Sequence, residues 1–600
     1  MTLTWTHSDD TRARSIGRSV DRSVEEPKHR DRRVYRFVSV VGVVGVVVVV
    51  VVVVFVALVV TRARVHKMNN VMTVDATTPP SVILLSGTRG GVAATIAATI
   101  ASGMSGMSGT GGAWDVASRV ARVEIRVHDP RDASARRLTK EDVEASGGVL
   151  ELDDVGKDGP EVIANVVNRD ASAWGLSARL RAAACSFNGK TLDVERVAAC
   201  RATSVAHCDG GGTLSQACAT SEACAKLRRV DDGGSMARTE PRFVLALANA
   251  VTGCVFANDG ARAESKTLYA ALRPSSTAKL AEELTSADAD EMTRRRDELQ
   301  AALHWEFLRA HPETRPLLGI TGADATKCIP GNAGDDDEAA GTASMCGIVG
   351  AVAVSKLFPE ASGFDAARYS DQWLHVDALA LYRPDRADAH LPPPPNKSEY
   401  DALPSEAGQD ADMKIDDDND TSESFSTQAR LFGYDALDKL REMRVLVCGV
   451  DSGANDACIA ALASVGVGNV DVFGASGSGR FLRRECEVDD LCDLDDFESY
   501  KYNAVIRMSA LAGANEIIAN VGEIKIPVIE VASPALGACS VHVNPGLNFA
   551  RGAYVGWMDA PTARVAAHLA AMEVVRLAQG RERSAKVIAY DGKGIYDASV

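Results

Sequence analysis

SVILLSGTRGGVAATIAATI, residues 81–100, decides the fold. The run from Ser81 to Ser86 is apolar and short, which predicts a buried strand. Gly87-Thr88-Arg89-Gly90-Gly91 stops it with a tight turn, and Val92 to Ile100 carries only Ala, Thr, Ile and Val, which predicts a helix packed closely on the strand. Strand, glycine turn and small-residue helix open a βαβ unit of the nucleotide-binding kind, in which backbone N–H groups at the helix start face phosphate. An α/β fold with a largely parallel sheet follows.

Downstream, a Gly/Ser/Met insertion (Ser102 to Gly112) leads to a second strand, Val123 to His128, ending at Asp129. A helix is expected near Pro160 to Val167, a strand over Phe243 to Ala248, and a strand-turn at Gly253 to Gly260. Leu299, Leu303 and Phe307 give Glu291 to His311 an amphipathic helical period. Asp335 to Glu338 reads as a solvated loop, Ser344 to Leu357 as a buried helix and Trp373 to Leu379 as a strand. Residues 384–424, with Pro392 to Pro395 and an acidic cluster at Asp416, Asp417, Asp418 and Asp420, form a linker.

After the linker the plan restarts. Val445 to Cys448 is a strand, Gly449 to Ala454 a glycine turn and Ala457 to Val465 a helix. Strands follow at Val470 to Phe473, Asn503 to Met508 and Ile526 to Val531, then a strand-turn at Gly537 to Gly546, a helix at Thr562 to Gln579 and a strand at Lys586 to Tyr590. Landmarks recur in the same order in both halves, which predicts an internal duplication.

Composition narrows the function. A chain of 600 residues exceeds one core, and a net charge of −16 excludes a general nucleic-acid binder. Thirteen cysteines without a CxxC pair imply free thiols in a reducing compartment. Cys185, Cys200, Cys208, Cys218 and Cys224, with His207, are too irregularly spaced for zinc, and no metal site is expected. Residues 1–36 mix Arg with Asp and Glu, and residues 37–60 are almost unbroken Val. As a helix that run spans about 36 Å, enough for a bilayer core of roughly 30 Å. It is either a single membrane span, with a flanking-charge bias toward a cytosolic N-terminus, or a low-complexity stretch ahead of a start at Met68 or Met72.

Several motifs together resemble a known family. Ser86-Gly87-Thr88-Arg89-Gly90-Gly91, His128-Asp129-Pro130, Leu138-Thr139-Lys140-Glu141-Asp142 and Asp154-Val155-Gly156-Lys157 stand in the order found in the non-catalytic adenylation domain of ubiquitin-activating enzymes (E1), of the ThiF/MoeB superfamily. Leu303 to His311, Ser344 to Leu357 and Trp373 to Leu379 extend the likeness. Gln428-Ala429-Arg430-Leu431-Phe432-Gly433 resembles the segment that opens each E1 adenylation domain, most closely the Arg-bearing one of the small SUMO-activating subunit. The resemblance implies two tandem Rossmann-like, ThiF-type adenylation domains, residues 80–383 and 425–592, behind an N-terminal apolar segment. It also implies a cytoplasmic or nuclear protein, membrane-anchored if residues 37–60 span.

The resemblance further implies ATP and Mg²⁺ as cofactors. Gly87, Arg89, Gly90, Gly91 and Asp129 would form the first nucleotide site, with Lys157 near a phosphate and Arg430 reaching a partner's ATP. Each has a structural alternative: close helix–sheet packing for the glycines, solvated side chains for Lys157 and Arg430. The second half departs from the family pattern. Asp451 stands in its glycine turn, Gly474 replaces the ribose acid, Gly479-Arg480-Phe481 replaces the phosphate-contacting segment, and Val505 to Ala510 lacks the Mg²⁺-binding Asp. No Cys precedes Thr, so no thioester nucleophile and no catalytic residue are identified; with ten residues after Tyr590, no ubiquitin-fold domain is expected in this sequence.

Three functions remain open. One is a scaffold or regulatory half of ubiquitin-like modifier activation, working with a ubiquitin-like protein and a Cys-bearing E1 partner subunit. The second is a pseudoenzyme that binds a ubiquitin-like protein or nucleotide. The third is a ThiF/MoeB-like adenylyltransferase acting on a sulfur-carrier protein. Met345 to Gly350 (MCGIVG) spells the start of class II glutamine amidotransferases, but it lies mid-chain, where core packing accounts for it.

Overall fold

The computed structural model describes residues 80–104, 122–187, 189–208, 214–229, 241–248, 252–258, 342–358, 373–377, 428, 434–449, 452–474, 487–491, 501–508, 526–535, 537–543, 558–580, 586–590, 592 and 595–597. The valine run (37–60), the helix expected at 291–311, the acidic loop at 335–338 and the linker lie outside them. Among the described residues no helix is long and apolar enough to cross a membrane.

In the first half the order is β1 (Ser81–Ser86), α1 (Val92–Met104), β2 (Val123–His128), α2 (Lys140–Ala145), α3 (Gly159–Ala173), β3 (Leu180–Ala184), α4 (Val194–Ala199), β4 (Ser204–His207), α5 (Leu214–Arg229), β5 (Arg242–Ala248), β6 (Thr252–Asn258), α6 (Ala343–Leu357) and β7 (Trp373–Asp377). The second half runs α7 (Tyr434–Glu442), β8 (Arg444–Gly449), α8 (Ser452–Ser464), β9 (Asn469–Gly474), β10 (Glu487–Leu491), β11 (Ala504–Arg507), β12 (Val528–Ala535), β13 (Ala538–Val543), α9 (Ala560–Ala578), β14 (Lys586–Tyr590) and β15 (Ile595–Asp597).

The strand order is β3-β2-β1-β4-β5-β6-β7 in one sheet and β10-β9-β8-β11-β12-β13-β14-β15 in the other. The first five strands of each sheet are parallel and the following ones antiparallel. Order and sense thus repeat over seven strands, as the duplicated landmarks predict, and the second sheet adds β15, antiparallel beside β14. Both halves are α/β and Rossmann-like, the switch in strand order falling between β1 and β4 and between β8 and β11.

Alternation along β1 explains how the first sheet is covered. Ile83 and Leu85 enter the main core, whereas Leu84 joins Phe243, Leu245, Phe256 and Val205 on the opposite face, under α4 and α5. The main core is continuous through both halves. Helices α1 and α6 pack against each other and α6 lies on β5 and β6; α8 and α9 do the same beside β8 and β13, and α6 packs along α9. Small residues make this close. A Cβ on Gly347 would collide with the His568 ring of α9, and one on Gly350 with Thr95 of α1. The MCGIVG glycines therefore serve helix packing.

Several elements differ from expectation. Helix α1 continues through Met104 into the supposed insertion. Helix α3 extends to Ala173, and α8 begins at Ser452, inside the second glycine turn. Strand β7 is described over Trp373–Asp377, and the last two residues of the expected strand, 378 and 379, lie outside the described residues. The sequence reading missed β3 and β4. The former is LRAAA, poor in strand-formers, and the latter buries Ser204 and His207, which read as loop residues.

Replacing Gly347 with Ala should lower stability by about 1–3 kcal/mol through overpacking, read as a lower urea midpoint. An unchanged midpoint would show that α6 and α9 do not meet there.

Candidate nucleotide site

The first glycine turn joins β1 to α1 at the carboxyl end of the sheet. The structure brings five of the expected residues together here: Gly87, Arg89, Gly90 and Gly91 in the turn, and Asp129 at the end of the neighbouring β2. Gly91 has φ +80°, and a Cβ on it would lie 2.6 Å from the Ala145 carbonyl carbon, so only glycine fits.

Several polar groups of this turn are occupied by the protein. The N–H of Gly90 donates to Asp142 Oδ1 at 2.5 Å, and Arg89 Nε pairs with Asp142 Oδ2 at 2.5 Å. Asp142 is buried and also accepts the Thr139 N–H at 2.8 Å, completing the capping box of α2. The Thr88 N–H and hydroxyl donate to Asp129 Oδ2 at 3.1 and 2.6 Å. Arg131 clamps the same carboxylate, Nη2 to Oδ2 at 2.8 Å and Nε to Oδ1 at 3.0 Å, while its N–H reaches Oδ1 at 2.9 Å. Burial by itself would raise Asp129, but the Arg131 bonds and charge and the Thr88 hydroxyl more than offset this and hold its carboxyl below the usual range.

Two buried carboxylates thus sit where phosphate oxygens and ribose hydroxyls would be received. A phosphate in the turn would have to displace Asp142 from Gly90 and Arg89, and Asp129 has no accessible surface for a ribose. The residues present do not fit ATP. Lys157 is exposed and pairs with Asp154 at 3.2 Å; only its carbonyl joins the neighbourhood, accepting from Leu138 N–H. Arg430 lies outside the described residues, but its neighbour Gln428 links the halves: its N–H donates to Glu144 at 3.2 Å and its Nε2 to the Ser464 carbonyl at 2.8 Å.

Sequence reasoning missed Asp142 and Arg131 as partners of the turn. Leu138 to Asp142 stands out in the sequence only as a motif in family order; its spacing does not tell that the Asp142 carboxylate closes a capping box and also caps the glycine turn. It also missed Cys346, whose thiol donates to the Gly90 carbonyl at 3.0 Å; burial raises this thiol.

The corresponding edge of the second sheet is closed differently. Gly474 pairs in register with Gly449, and a Cβ on it would collide with the Gly449 carbonyl oxygen. The position that would carry a ribose acid therefore has no space for a side chain. At the end of β11 the buried Arg507 faces Glu530 of β12 at 3.0 Å. A guanidinium there opposes a divalent cation, so the residues do not fit Mg²⁺ either. Burial raises the Glu530 carboxyl against the pull of Arg507, and burial likewise pushes the neighbouring Cys448 thiol to about 12. Val450 and Asp451 lie outside the described residues.

The neighbouring Cys185 and the Arg126 charge shift Cys200 toward thiolate against partial burial. No cluster of His, Cys, Asp or Glu suited to a metal occurs among the described residues.

No protein-family model matches the chain, and no curated protein does. Solved structures of similar fold include the E. coli tRNA N6-threonylcarbamoyladenosine dehydratase TcdA, 15% identical over 26% of this chain and 94% of that one, with a TM-score of 0.22. PaaA is 15% identical over 32% and 77%, with a TM-score of 0.24. E. coli MccB, solved with succinimide, is 15% identical over 30% and 71%, also at 0.24. The likeness is one of local fold.

Removing the carboxylate that fills the turn, Asp142→Ala, leaves Arg89 and the Gly90 N–H without their acceptor and should destabilise by about 3–5 kcal/mol, measured by denaturant unfolding. A neutral result would mean that the turn is held by packing alone. Asp129 has a depressed folded-state pKa, so the stability it contributes is complete above the unfolded value of about 3.9 and is lost as pH falls through the folded value. Asp129→Asn should flatten the wild-type fall in thermal midpoint below about pH 4. An unaltered pH profile would refute that ion pair.

Proposed function

We propose that this chain is an E1-like, ThiF/MoeB-type protein of ubiquitin-like modifier activation that acts as a scaffold or regulatory subunit without its own adenylation or thioester chemistry. In this reading residues 80–383 and 425–592 are the two adenylation-type halves, joined by the linker 384–424. The observation that carries it is the Asp142 carboxylate on the Gly90 N–H and Arg89, which puts a protein anion in the place of the nucleotide's phosphate. Ordered motifs of the family converge on that turn: the glycine run, the aspartate after β2 and the Thr-Lys-Glu-Asp capping box all meet there.

Binding ATP and forming the modifier thioester would then fall to a Cys-bearing partner subunit, and this chain would supply surface for the ubiquitin-like protein and that partner. The pseudoenzyme reading, binding a modifier with no partner enzyme at all, is favoured by the closed edge at Gly474 and Arg507. An adenylyltransferase acting alone on a sulfur carrier is disfavoured by the same residues.

ATP–pyrophosphate exchange with ubiquitin or SUMO-like proteins tests this. The chain alone should give none, and adding a Cys-bearing E1 subunit should restore exchange above that subunit's own rate. Exchange by the chain alone would sink the proposal. No gain with any partner would leave the pseudoenzyme reading in its place.

A further inference from the structure

Away from the glycine turns, helix α9 carries Arg564 and His568 one turn apart. Both line a cleft between the halves whose floor includes Thr95 of α1, Ala460 of α8 and the Ser146-Gly147-Gly148 turn after α2. The cavity volume is about 40 Å³, room for about three waters or one small oxyanion.

We propose that this cleft binds a small oxyanion, a carboxylate or a phosphate group, gripped by the Arg564 guanidinium and the His568 ring. Among the described residues Arg564 makes no hydrogen bond or ion pair, although it is only partly exposed. A partly buried guanidinium without a counter-charge is costly. Water in the cleft satisfies its N–H groups but leaves the charge, whereas an oxyanion satisfies both through the planar fork.

His568 is the second observation. It is 6% exposed, and its Nδ1 is buried without a hydrogen-bond partner among the described residues. The Nε2 edge of the ring lies against Gly347, which fixes where Nδ1 stands. Burial and the Arg564 charge lower it to about 3, so the ring is neutral at pH 7 and has one N–H to give. Burial also lowers Arg564, to about 10, which leaves it cationic. The acidic residue in the lining, Asp170, has Arg169 Nε 3.8 Å from its carboxylate, which offsets its repulsion of an anion.

Because α1 and the Gly147 turn belong to the first half and α8 and α9 to the second, a bound anion would tie the two halves together. Isothermal titration of the full chain with sodium phosphate and, separately, sodium acetate, against sodium chloride at equal ionic strength, tests the site. Saturable binding of either anion that Arg564→Leu weakens at least tenfold is the expected result, and the stronger anion identifies the group. Thermal unfolding adds a readout that misfolding would not mimic. Arg564→Leu should keep or raise the midpoint in chloride, because it removes an unpaired charge, while losing the rise that the anion gives the wild type. No saturable binding, or equal binding by the variant, would overturn the proposal. Should the variant not fold, a selenate-soaked wild-type crystal decides it: an anomalous peak within hydrogen-bond reach of Arg564 supports the site, and its absence refutes it.

Discussion

Everything else in this molecule hangs on the close approach of α1, α6, α8 and α9 between two sheets. Each sheet has an apolar face to cover, and the halves cover theirs with helices that then share one core. Helices this near to one another need residues without bulk. Gly347 leaves space for His568 and Gly350 for Thr95, and the Thr95 hydroxyl spans the gap to the Cys346 carbonyl at 3.0 Å. Ala and Val dominate these helices for the same reason, and few aromatic residues are needed. Deep burial of α6 also removes Cys346 from any nucleophilic role, since burial raises its thiol and its sulfur is spent on the Gly90 carbonyl.

That contact brings the packing layer to the edge of the glycine turn. A strand-turn-helix of this kind presents N–H groups and a helix dipole that attract negative charge. In the first half the attraction is met from inside the protein. Asp142 caps its own helix through Thr139 and the turn through Gly90, while Asp129 holds Thr88 and Arg131. Gly91 is then required by backbone packing on Ala145 rather than by a ligand.

Much of the fold was legible because its signals are local. The apolar run at Val82–Leu85, the glycine turn, the small-residue helix and their recurrence after Arg444 all survive in the structure, and seven strands share order and sense between the two sheets. Strands β3 and β4 escaped because their side chains are short or polar and are buried only by tertiary contacts. The site was legible as a place and not as a chemistry. Sequence brought Gly87, Gly90, Gly91 and Asp129 to one turn, but nothing in their spacing told that Asp142, from a different helix, would fill it. Likewise Gly474 reads as a lost acid, whereas in space it is the condition for the ends of β8 and β9 to meet.

The two halves therefore diverged at their edges while their frame stayed the same. A frame held by a shared helix layer does not depend on what stands at the carboxyl ends of its strands, so those positions are free to change. Each half used that freedom differently. The first kept the glycine turn and met its positive potential with carboxylates; the second put a buried guanidinium and carboxylate, Arg507 and Glu530, across the strands where a metal would be drawn. In both places the protein meets buried charge with its own opposite charge. Arg564 is the exception: it stands in the packing layer itself, with no partner among the described residues, beside a cleft that offers its charge water but no carboxylate bonded to it.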